Sequence, residues 1–109
     1  MTRDRGLETL VNEDLDGQPG ITGKGMFGGW AWLLDGKLLV GVRHIGMLAR
    51  IGDANEKWAL SIPGVTPMMM RGRRMRGWVR ASVDVCGNDA LRRKLIAAAV
   101  AFVQTLPEK

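Results

Sequence analysis

Residues 71–80 carry five arginines, Arg71, Arg73, Arg74, Arg76 and Arg80, interleaved with Met75 and Trp78. A guanidinium group is a planar fork of donors that holds carboxylate or phosphate oxygens in pairs and stacks on aromatic faces. On an extended segment every second side chain shares a face. Arg76, Trp78 and Arg80 should therefore project together, an indole between two cations. Three readings of that face stay open. It is a solvated face whose arginines stack on Trp78 for local stability, a surface for an acidic protein partner, or a surface that tracks nucleic-acid phosphates. Arg71, Arg73, Arg74, Arg76, Trp78 and Arg80 are the candidate interaction residues.

The other chemistry-bearing residues point away from catalysis. His44 is the one histidine and Cys86 the one cysteine, so neither a His-based triad nor a multi-histidine zinc site can be assembled. Cys86 precedes the start of a helix, where a thiol pKa can fall, but nothing in the spacing brings it to His44. Met68, Met69, Met70 and Met75 lack the convergence that thioether ligation of a soft metal needs, because consecutive strand residues point to opposite faces. They read as adaptable apolar filling or contact surface. Gly23, Gly25, Gly28 and Gly29 precede an apolar strand instead of the Gly-Lys-Ser/Thr and helix of a phosphate loop. Asp53 and Glu56 have the spacing of a capping box. No catalytic, cofactor-binding or metal-binding residue is assigned, and a non-enzymatic protein is expected.

A length of 109 residues fits one domain over 1–109, and 46% hydrophobic against 25% charged residues is ordinary globular composition. The net charge of +5 favours anionic partners at long range. No apolar run approaches the ~18 residues of a membrane span, and the N-terminus lacks the apolar segment of a secretory signal. A cytoplasmic, bacterial-type protein with no membrane association is expected.

The elements that must position these residues follow from patterning. Leu7, Leu10, Val11 and Leu15 recur at helical spacing over residues 4–16. Residues 21–34 are extended, with a bulge or sharp bend at Gly28-Gly29. Asp35-Gly36 signals a two-residue hairpin, followed by strands over residues 37–43 and 47–51. A three-stranded meander is thus predicted. Asp53 caps a short helix over 54–61. Strands over 67–71 and 75–82 flank Gly72-Arg73-Arg74. Asn88-Asp89 opens a last helix whose stripe is Leu91, Leu95, Ala98, Ala99, Phe102 and Leu106. In its first turns Arg92, Arg93 and Lys94 oppose the helix dipole, so they either serve a partner or are tolerated. The order α-β-β-β-α-β-β-α, with a hairpin-joined run of strands, predicts an α+β fold of two layers, an antiparallel sheet with helices on one face.

These residues resemble the TfoX N-terminal domain family (TfoX/Sxy). The likeness rests on Lys24, Met26, Phe27, Gly28 and Gly29 after a first helix. It continues through the Asp35-Gly36 hairpin and a third strand with Arg50 near its end. Pro63-Gly64, Pro67-Met68, Gly72-Arg73, Met75 and Gly77 match the second half. Gly25 stands where the family carries a basic residue. The resemblance implies a secretion-chaperone-like fold, structural roles for Met26, Phe27, Gly28, Gly29 and Arg50, and a connection to transcription or competence regulation. It supplies no catalytic residues. The reading that follows is a regulatory module that docks a protein partner or a second copy of itself, with direct nucleic-acid binding through residues 71–80 as the alternative. A small-ligand sensor or enzyme is the third class. No cofactor is expected.

Overall fold

The Asp4 carboxylate accepts the Leu7 N–H at 3.0 Å and so opens the first helix, α1 (Arg5–Asp14). The computed structural model describes residues 4–26 and 28–107, so Phe27 of the Met-Phe-Gly-Gly motif lies outside the described residues. Leu7, Val11 and Leu15 turn inward from α1. Asn12, on the same helix, accepts the Trp32 indole N–H at 2.7 Å and fixes α1 over the sheet.

Four strands then form a meander: β1 (Ile21–Met26), β2 (Gly29–Leu34), β3 (Lys37–Arg43) and β4 (Gly46–Arg50). The extended stretch that sequence treats as one bent strand is a full antiparallel hairpin, with Met26 opposite Gly29. Gly28, with φ of 75°, stands in its turn, and at Gly29 a Cβ would lie 2.1 Å from the Val42 carbonyl oxygen on β3. Only glycine lets β2 approach β3 there. Asp35 and Gly36 both have positive φ, 51° and 81°, the turn that Asp-Gly favours between right-twisted strands.

A 3-10 turn (Asp53–Asn55) leads into α2 (Glu56–Leu60). The expected capping box is not formed, since neither start has a side-chain cap. Glu56 turns instead to the sheet. Next come β5 (Val65–Met70), β6 (Arg73–Ala81), the short α3 (Val83–Cys86) and α4 (Asp89–Gln104). The β5–β6 turn is Arg71-Gly72, with φ of 53° and 76°, one residue tighter than Gly72-Arg73-Arg74 suggests. Ser82 caps α3 and Asn88 caps α4 through their side-chain oxygens. The predicted order thus gains one strand and one short helix.

All six strands make one antiparallel sheet in the order β1-β2-β3-β4-β6-β5. Trp32, Val40, Ala49 and Val79 stand in register on one face. There they are buried under the helices, with Leu95, Ala99 and Val103 of α4 in the same apolar cluster. The fold is two-layer α+β. No helix among the described residues is long and apolar enough to cross a membrane.

Arg92 corrects the expected stripe of α4. It is 1% exposed, and its Nε donates to Asp14 at 2.6 Å while Nη1 donates to Asp89 and the Cys86 carbonyl. Hydrogen bonding to Asp14 raises its pKa further. Arg93 reaches the same Asp14 carboxylate, and the Lys94 ammonium lies 4.5 Å from the Trp58 ring centre. The cations in these first turns are therefore engaged within the fold.

Candidate functional site

The cluster at residues 71–80 divides at Gly77. This residue sits in β6 with φ of 83°, which breaks the expected alternation between Arg76 and Trp78, whereas Trp78 and Arg80, opposite Arg50 and Leu48, keep it. The Glu56 carboxylate accepts the Gly77 N–H at 2.6 Å through Oε2, and Oε1 accepts Arg74 Nη2 at 2.9 Å. The Gly77 carbonyl accepts two further amides, from Ile51 and Gly52. A Cβ on Gly77 would stand 3.3 Å from both Gly52 Cα and Asp53 Oδ1. The irregular strand is thus held from several sides.

Each candidate residue consequently has its own surroundings. Arg74 is paired with Glu56, and Arg76 lies 3.4 Å from Asp53 in an exposed ion pair of the kind worth ~0–1 kcal/mol. Trp78 is half-buried opposite Arg50. The Arg50 guanidinium lies 5.4 Å from the Trp78 ring centre and 5.7 Å from that of Phe102, within cation–π range of both. Trp78 is therefore covered by Arg50, the residue singled out above only as a family-motif position. Arg73 is exposed. Arg71 and Arg80 line a different feature.

That feature lies along one rung of the sheet, over its members Ala31, Gly41, Leu48 and Arg80. Lys24, Ala31, Gly41, Leu48, Arg80 and Thr66 stand side by side across all six strands. The rung lies on the face opposite the α4 packing. Gly41 contributes no side chain to its centre, and a Cβ there would meet nothing closer than the Trp30 carbonyl oxygen at 3.8 Å. The result is a hollow of about 520 Å³. Ala31, Leu38, Leu48 and Met68 give it an apolar lining, Met26 borders it from β1, and Met69 and Met70 from the β5–β6 hairpin. Met68 is buried although no helix covers this face, whereas Met69 is 54% exposed.

Three cations line the hollow: Arg43, Arg71 and Arg80. No carboxylate lines it, and none of the three forms an ion pair with any described residue. Burial lowers the Arg80 pKa, and the neighbouring positive charge of Arg43 lowers it further. Arg80 stays a cation at neutral pH all the same. Two like charges facing a partly dry surface without a counterion form an anion-attracting field.

Sequence reading missed Arg43, Gly41 and Leu48. The available signal was Gly41 between Val40 and Val42, since a glycine inside an apolar strand marks a close approach or an open space. Gly28 has φ of 75° in the β1–β2 turn, while Met26 and Gly29 border the hollow and the β2–β3 seam.

The remaining residues do not gather into a site. Cys86 is buried, its thiol 3.7 Å from the Ala81 carbonyl oxygen, and burial pushes its pKa up to about 11. His44 is exposed in the β3–β4 turn. Among the described residues no group of three or more His, Cys, Asp or Glu could hold a metal ion. In comparisons with protein families, curated proteins and solved structures, nothing matches this chain.

Proposed function

We propose that this chain is a non-enzymatic regulatory module that docks an acidic, apolar-flanked segment of a protein partner on the uncovered face of its sheet. The observation that carries this reading is that Arg43 and Arg80 line one hollow with Leu48 and Met68, with no carboxylate among the described residues that line it. Arginine beside apolar, adaptable methionine is a combination that anchors interfaces. An extended segment alternating acidic and apolar side chains would answer both features. The resemblance to the TfoX N-terminal domain family supports a regulatory setting, and a link to transcription or competence regulation belongs to the same proposal.

A capped Asp-Phe-Glu-Leu-Asp peptide, titrated by fluorescence anisotropy, tests this reading against its Lys-substituted counterpart. The acidic peptide should bind and the basic one should not. Arg80→Met and Arg43→Met should each weaken binding about tenfold or more, while Arg73→Ala changes it less than twofold. Equal binding by Arg80→Met would overturn the assignment of the face.

The exposed Arg71 and Arg73 at the β5–β6 hairpin favour nucleic acid as the second reading. It requires affinity for single-stranded or duplex probes that falls steeply with salt, as displaced counterions return. Such binding, lost on Arg71→Ala and Arg73→Ala together but kept in Arg80→Met, would select it over the protein partner.

A further inference from the structure

The hollow over Gly41 has the attributes of an open ligand site as well as of a contact surface. Its volume of about 520 Å³ falls within the ~300–1,000 Å³ of small-molecule pockets. Its walls are of two kinds. Ala31, Leu38, Leu48 and Met68 present an apolar side, and Arg43, Arg71 and Arg80 present a cationic one. Flexible methionine side chains on the β5–β6 hairpin can close over apolar bodies of differing shape.

Gly41 forms the floor. Gly41 has no positive φ that would require glycine, and a Cβ there would make only ordinary contact. A side chain is thus sterically tolerated by the backbone at this position, and glycine in a strand interior weakens the strand. The space above it is retained at some cost to sheet stability.

We infer that this hollow binds a small amphiphilic anion, its carboxylate or phosphate head held between Arg43 and Arg80 and its apolar body lying over Gly41 against Leu48 and Met68. Two arginines lining one hollow supply the forked donors that either head group accepts. An apolar cation leaves both guanidinium groups uncompensated, and an uncharged apolar molecule gains only the lining. Because the anion takes the space proposed for the partner's acidic segment, it competes with docking. Only this competition rests on the preceding functional reading.

The test uses octanoate and octyl phosphate, with octanol and octylammonium as controls, each below its self-association concentration and followed by calorimetry on the full chain. One or both anions should bind with one-to-one stoichiometry, and the stronger identifies the head group. Octanol should bind at least tenfold more weakly, and octylammonium should show no saturable binding. Arg80→Met should lower anion affinity about tenfold or more. Gly41→Val should abolish it while leaving the unfolding temperature unchanged or raised, which separates loss of the site from loss of the fold. Octanol binding as tightly as octanoate, anion binding that survives Gly41→Val, or no binding by either anion would each overturn the inference. Running the peptide titration without amphiphile keeps the two proposals distinct. Peptide binding with no anion binding defeats this inference alone, and anion binding with no peptide binding defeats only the docking reading.

Discussion

Glu56 accepts the Gly77 amide at 2.6 Å across 21 positions of sequence. This one contact joins the start of α2 to the irregular point of β6. It also holds Arg74, through the other carboxylate oxygen. The bulge it stabilises sends Arg76 toward Asp53 and leaves Arg80 in the hollow. An arginine-rich stretch that looks continuous in sequence is thereby divided into Arg74 and Arg76, paired with carboxylates, and Arg71, Arg73 and Arg80, which form no ion pair among the described residues.

Removing that carboxylate should cost stability. A hydrogen bond to a charged group contributes ~1.5–3 kcal/mol, and Glu56→Ala should lose about that much. Urea unfolding monitored by tryptophan fluorescence gives the value. A loss below about 0.5 kcal/mol would show that Gly77 is held by its other contacts alone.

The buried ion pair between Arg92 and Asp14 should be the more sensitive point. Both side chains are almost fully buried, at 1% and 4% exposure. Deleting one partner of such a pair costs ~3–5 kcal/mol because the other charge stays buried. Arg92→Ala should therefore lower the urea midpoint far more than Arg93→Ala, whose side chain is 65% exposed. Equal effects would contradict the assignment of Arg92 as the anchor between α1 and α4.

Cys86 should be inert in the native state. Burial favours the neutral thiol and moves its pKa from 9.0 to about 11. The unfolded chain then releases this proton at lower pH than the folded one. The stability contribution is fully present below pH 9 and is lost as pH rises through 11. Wild type should lose stability relative to Cys86→Ala across that interval. A thiol reagent at pH 8 should label the protein only after urea is added. Rapid native labelling would place the thiol at the surface.

The sheet and helices were largely legible because their signals are local. Leu7, Val11 and Leu15 repeat at helical spacing, Asp35-Gly36 specifies its hairpin, and Asn88 caps α4 as its sequence context indicates. The β1–β2 hairpin was legible only as a bend at Gly28-Gly29, and the need for glycine at position 29, which comes from the Val42 carbonyl on a strand distant in sequence, was not. Glu56 satisfied the spacing of a local cap but found a partner 21 residues away. The hollow itself was invisible. Ala31, Gly41, Leu48 and Arg80 come from four different strands and meet in it only once strand order and register are known.

Methionine methyl resonances report on both faces of the sheet at once. In a carbon-13 methyl-methionine spectrum titrated with the Asp-Phe-Glu-Leu-Asp peptide, the signals of Met26, Met68, Met69 and Met70 should move together and saturably. Met47, buried on the helix-covered face, should stay in place, and Arg80→Met should erase the response. Shifts confined to Met47, or an unchanged titration in Arg80→Met, would contradict the account of the uncovered face as the working surface.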